Sequence, residues 1–167
     1  MRVYVPLTLP GLAEAYKTGE LGAGAFAAYA VTPGLREWYA SDDIEELEYA
    51  ALGRAALASL RLLAAEPEAP RRRIVIAVDV PDRVVSADHD PAEPGEVRVA
   101  GPLPLGKAAS VHVDAADAQA RVTAAAEALP AADRGDGDAQ SAVDGAEDHE
   151  LLWFATQEIA NLVGHGG

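Results

Sequence analysis

Hydrophobic and polar positions along this chain switch between a period near two and a period near 3.6, which predicts alternating strands and helices. Residues 2–7 read as a strand, and Thr8 is placed to cap a helix that tolerates Pro10 in its first turn. Leu9, Leu12, Ala13 and Tyr16 share one helical face, and Gly19, Gly22 and Gly24 release the chain into a strand over 25–31. After Pro33-Gly34, Arg36-Glu37-Trp38-Tyr39 predicts a short helical connector. The longest helix is expected from Ser41 or Asp42 to about Ala65. Asp42 and Glu45 have capping-box spacing, and Ile44, Leu47, Ala51, Ala55, Ala58 and Leu62 make a stripe that Leu52, Leu60 and Leu63 widen. Pro67 and Pro70 stop it.

Ile74–Val78 is apolar without alternation, the pattern of a central strand covered on both faces. Residues 81–95 carry three prolines and many charges and read as a solvated loop. Strands follow at 96–100 and 109–113, and the short connection through Pro102 and Pro104 suggests that these two pair as a hairpin. Asp114 is expected to cap a helix with Ala118, Val122, Ala125 and Leu129 on one face, ended by Pro130. Residues 131–149 are poor in large hydrophobics and read as a flexible acidic loop. Leu151–Ala155 is the last strand, and Ile159, Leu162 and Val163 mark a short final helix before a Gly-His-Gly-Gly tail.

The pattern contains an echo. A strand, helix and strand over 1–5, 9–21 and 25–32 recur loosely over 109–113, 114–129 and 151–156. The expectation is one α+β domain over 1–167, with helices packed on a central sheet and a ferredoxin-like internal strand-helix-strand repeat.

Composition narrows the function classes. The 167 residues include no cysteine, which removes disulfides, iron–sulfur clusters and thiolate zinc sites and fits the cytoplasm. The formal charge of −14 argues against nucleic-acid binding, whose affinity comes from basic side chains on phosphates. Seven acidic residues against Arg134 lie in 131–150 alone. No stretch approaches the roughly 20 apolar residues that span a bilayer, and no signal core follows the N-terminus, so no membrane partner is expected.

Candidate chemistry is sparse. Asp88-His89-Asp90, His112, Asp148-His149-Glu150 and His165 lack the spacing of a zinc site, so no metal is expected. Asp136, Asp138, Gln140, Asp144 and Glu147 fall at calcium-loop positions, but Ser141 stands where such loops need glycine. Arg71-Arg72-Arg73 reads as a solvated strand entry, with anion binding as its alternative. Nucleophile-elbow, phosphate-loop and dinucleotide-binding signatures are absent, and no cofactor is expected. Thr8, Thr32, Asp114 and Thr156 end strands, where they serve as helix caps more often than as ligands.

The best constellation joins Arg36, Glu37, Trp38 and Tyr39 with Trp153, Thr156, Gln157 and Glu158 at equivalent ends of the echo. Its aromatics are either core anchors of an aromatic-poor protein or part of a recognition face.

Several blocks also resemble a known family: the opening residues 1–8, the stretch 28–37 from Ala-Tyr-Ala-Val-Thr-Pro-Gly, Glu45–Ala51, and the closing His149–Ile159. Together they resemble an uncharacterised family of short actinobacterial proteins, a domain of unknown function, over nearly the whole chain outside 131–148. The alanine-rich, lysine-poor composition fits a high-GC actinobacterium. The resemblance implies no activity, cofactor or catalytic residue.

The first functional expectation is therefore a non-catalytic cytoplasmic module that binds a protein or small metabolite. The second is a small enzyme whose Glu37, His149 and Glu158 assemble in the fold. The third is a homodimer whose assembly is its role.

Overall fold

β1 (Arg2–Leu7) is the organising strand of the computed structural model, which describes residues 1–86 and 94–165. It pairs antiparallel on one side with β3 (Phe26–Ala30) and on the other with β4 (Ile74–Asp79), in register Val3↔Ala30 and Val5↔Ile76. β5 (Val85–Ser86) and β6 (Glu96–Val99) extend the sheet beyond β3, while β8 (Ala108–Val113) and β9 (Leu152–Phe154) extend it beyond β4. The order is β5-β6-β3-β1-β4-β8-β9. A separate two-stranded ribbon joins β2 (Glu20–Leu21) to β7 (Leu103–Pro104).

Helices cover both sides, so the α+β class holds. Valines and isoleucines at alternate positions of β1, β4, β6 and β8 pack beneath Leu9 and Leu12 of α1 (Leu9–Thr18) and Ile159 and Leu162 of α6 (Ile159–His165). On the opposite face, Tyr4, Tyr29, Val75 and Ala77 lie beneath Leu35 of α2 (Pro33–Tyr39) and Leu47, Ala51 and Ala55 of α3 (Ile44–Ala65). β4 feeds both cores, as its unbroken apolar run predicts. The far half of α3 forms a third core, where Leu60 and Leu63 meet α4 (Gln119–Asp133) and α5 (Gly137–Glu147).

The repeat does not take the ferredoxin-like topology. There, the two strands of each unit flank a third. Here β1 pairs directly with β3, and β8 with β9. The split arrangement occurs instead in β3-α2-α3-β4, whose strands run on either side of β1. The expected hairpin is also absent. β6 pairs with β3 and β5, and β8 with β4 and β9, so three strands separate them.

The segment 131–149 is helical rather than an acidic loop. α4 continues through Pro130 to Asp133, and Asp136 caps α5 by accepting from the Ala139 amide at 3.0 Å. Pro130 is exposed and only three residues from the helix end, so little helix follows the lost bond. α5 buries only Val143, Gly145 and Ala146. Small side chains suffice because the helix packs closely on α4. This helix also replaces the calcium-loop geometry.

Capping is right at Thr8 and Thr32, which accept from Gly11 and Leu35 amides, but Asp43 rather than Asp42 caps α3. Neither Asp114 nor Thr156 is a cap. Asp114 is followed by a short 3-10 turn at Ala116–Ala118, and Thr156 is the first residue of another, Thr156–Glu158.

Candidate functional site

Asp114 has a different task. Its carboxylate is fully buried and accepts from Arg73 at Nε (2.9 Å), at Nη2 (2.8 Å) and at the backbone amide (2.8 Å). A buried pair of this kind holds only because the bidentate fork satisfies both partners. The arginine triplet is thus neither a solvated entry nor an anion site. Arg71 donates to the carbonyls of Leu63, Glu66 and Ala69 at the end of α3, and Arg72 to the carbonyl of Asp114. Arg73 Nη2 also donates to the carbonyl of His149 at 2.8 Å, which ties the approach to β9 against β4.

That tie shapes a groove of about 600 Å³ between α3 and the segment 147–151. Its apolar wall comes from Leu52, Ala56, Leu57 and Leu151, and its polar groups from Glu46, Tyr49, Arg54, Arg73, Glu147, His149 and Glu150. Tyr39 stands at the end nearest α2. The Tyr49 hydroxyl donates to Glu150 Oε1 at 3.1 Å and bridges α3 to the far wall. Arg54 lies 5.7 Å from the Trp38 ring centroid and 6.0 Å from that of Tyr39, within cation–π range.

Two residues of this groove have no evident structural purpose. Gly53 sits inside α3, where glycine costs about 1 kcal/mol relative to alanine. A Cβ there would meet nothing within 4 Å, so no close packing requires the glycine. Glu147, at the end of α5, makes no hydrogen bond to the described residues. Its side chain is exposed, yet desolvation by the surrounding groove wall, followed by repulsion from Asp144, raises its pKa above the ordinary carboxylate value, against the pull of Arg73 and Arg54.

The structure brings Tyr39 and His149 to the groove, together with Arg73 of the arginine triplet, Glu147 of the calcium-loop spacing and Glu150 beside His149. It leaves the candidates of α2 before Tyr39 and those from Trp153 onward outside the lining. Arg36, Glu37 and Trp38 are exposed on α2, while Trp153 is exposed on β9 and Gln157 and Glu158 on the turn after it. Thr156 is partly covered in the same turn. Trp38 and Trp153, at 66% and 63% exposure, are not core anchors. Of Glu37, His149 and Glu158, only His149 lines the groove. Arg73 and Glu147 entered the sequence reading only through the arginine triplet and the calcium-loop spacing, and Tyr49 and Gly53 were not singled out for any chemistry. Gly53 alone left a local signal, as a glycine within an alanine-rich helix.

One further pair has catalytic chemistry on paper. Ser110 Oγ lies 3.0 Å from His112 Nε2 on β8. Ser110 is only 5% exposed, and burial, with a smaller effect of Arg2, lowers the His112 pKa. The contact satisfies the buried Ser110 hydroxyl, with His112 half-buried beside it. Among the described residues, no group of three His, Cys, Asp or Glu is arranged to hold a metal ion. Asp88-His89-Asp90 and the His165 side chain lie outside the described residues. No helix among them is long and apolar enough to cross a membrane.

The chain belongs to a family of unknown function, DUF6912, which its residues 1–163 match. No curated protein and no solved structure matches it.

Proposed function

We propose that this protein is a non-catalytic binding module that holds a small, partly apolar metabolite in the groove between α3 and residues 147–151. The carrying observation is the groove itself, of a size that suits a small molecule, opened by a mid-helix glycine without a packing role. An apolar wall with a few converging polar groups suits recognition by shape plus orientation. The dispersal of Glu37, His149 and Glu158 and the burial of Ser110 speak against the enzymatic reading. The absence of cysteine and the alanine-rich, lysine-poor composition support a cytoplasmic setting in a high-GC bacterium.

Native mass spectrometry of the untagged protein as purified, joined to a ligand-observed NMR screen of small metabolites, tests the reading. The expected result is a retained or added ligand that Gly53→Phe abolishes by filling the groove. Gly53→Ala should keep the ligand and raise stability by up to ~1 kcal/mol. If nothing binds the wild-type chain, or Gly53→Phe binds as well as wild type, the groove is not the site.

A further inference from the structure

The two edges of the seven-stranded sheet are built differently. β5 spans two residues and is entered directly from the exposed charges Asp82 and Arg83, so that edge is short and guarded. β9 consists of Leu152, Trp153 and Phe154, with neither charge nor proline inside the strand although Glu150 and Glu158 flank it, and among the described residues it pairs only with β8. Trp153 lies opposite His112, on the face covered by α3, and Leu152 points to the other face. Leu152 is 47% exposed, and Tyr49, tethered to Glu150 on the α3 side, is 63% exposed. An unpaired backbone edge therefore coincides with exposed apolar side chains on both of its faces.

We infer that β9 pairs antiparallel with β9 of a second copy, about a two-fold axis at Trp153, and joins the two sheets into one. A free strand edge is a template for another extended chain, which supplies N–H and C=O groups at the matching spacing in place of water. The triplet is self-complementary under such an axis. Leu152 meets its counterpart's Phe154 position, the two tryptophans form a cross-strand aromatic pair, and no like charges oppose one another within the strand. An unrelated peptide would have to reproduce that apolar spacing, which a second copy does by identity.

Area sets the strength. Leu152, Trp153 and Tyr49 offer roughly 350 Å² per copy, against the ~800 Å² per partner of a standard interface. The dimer is accordingly reversible, with a dissociation constant in the micromolar range or weaker. Each copy carries −14, so repulsion opposes association and salt should strengthen it.

Sedimentation equilibrium from about 10 μM to about 1 mM, a range suited to a small interface, tests the inference. The expected result is a rise from one chain toward two, tighter at about 0.5 M than at about 0.05 M NaCl. Trp153→Arg should weaken association at least ~10-fold, whereas Trp38→Arg, at the other exposed tryptophan, should leave it unchanged. Amide hydrogen exchange of the wild-type protein gives an arm that does not depend on how a variant folds: β9 amides should slow as concentration rises. A monomer at every concentration overturns the inference. So does a dimer that survives in folded Trp153→Arg, or β9 exchange indifferent to concentration. Tyr49 borders the groove as well as this patch, so the groove is tested separately by Gly53→Phe, which leaves β9 itself untouched.

Discussion

Arg73 acts on two carboxylates, which the fold treats in opposite ways. Asp114 is fully buried and takes two guanidinium bonds and a backbone amide, so every charge in that region has a partner. Glu147 lies within the electrostatic reach of the same arginine but receives no hydrogen bond from the described residues, and its ionisation is disfavoured. The first region locks β4 to the end of β8. The second borders a groove. The contrast separates a charge that holds the fold from one that the fold tolerates, and it gives Glu147 a reason to be sought in binding rather than stability.

Removing the buried partner should have the largest effect. Asp114→Ala leaves the Arg73 guanidinium buried and unpaired, a loss of about 3–5 kcal/mol in urea unfolding. The His149 carbonyl should lose its anchor too, so β9 amides should exchange faster. A loss under ~1 kcal/mol would mean that Arg73 finds water or another acceptor, and the contrast with Glu147 would collapse.

Glu147→Gln should act in the opposite direction. A carboxyl whose folded pKa lies above its unfolded value contributes stability at low pH, and loses it as pH rises through the folded value. At neutral pH the ionised group therefore opposes folding among Asp144, Asp148, Arg73 and Arg54. The variant should melt higher than wild type at pH 7, with the gap narrowing toward pH 4. A variant that melts lower at pH 7 would show that Glu147 has a stabilising partner.

The smallest effect belongs to His112, which extends the comparison to a half-buried base. Burial lowers its folded pKa below the ordinary 6.5. The unfolded chain then binds the extra proton, and the stability His112 contributes is complete above that value and is lost as pH falls below it. His112→Gln should flatten the stability profile just below pH 6.5, as read from denaturation midpoints. An unchanged slope would assign the dependence to other groups.

Local patterning carried the strands and helices because burial on one or two faces leaves a period in the residues themselves. β4 showed its central place through five consecutive apolar residues. α5 hid from the same reading because Val143 and Ala146 bury a face with almost no bulk. Pro130 and the acidic charge reinforced the wrong impression, although a proline near a helix end costs little helix. The candidate site was the least legible part. Tyr39 and His149 were found, but Gly53 and Glu147 matter only through what lies across the groove.

The chain by itself determined the mixed α+β character, the long α3, the core strands and the two threonine caps, since each depends on neighbours within about two turns. Tertiary structure alone decided that β6 joins β3 rather than β8, that Asp114 binds Arg73 instead of capping a helix, and that α3 and residues 147–151 enclose a groove. Those outcomes rest on hydrogen bonds and ion pairs between residues some 40 to 100 positions apart. Their energies depend on burial and geometry that periodicity along a single chain does not encode.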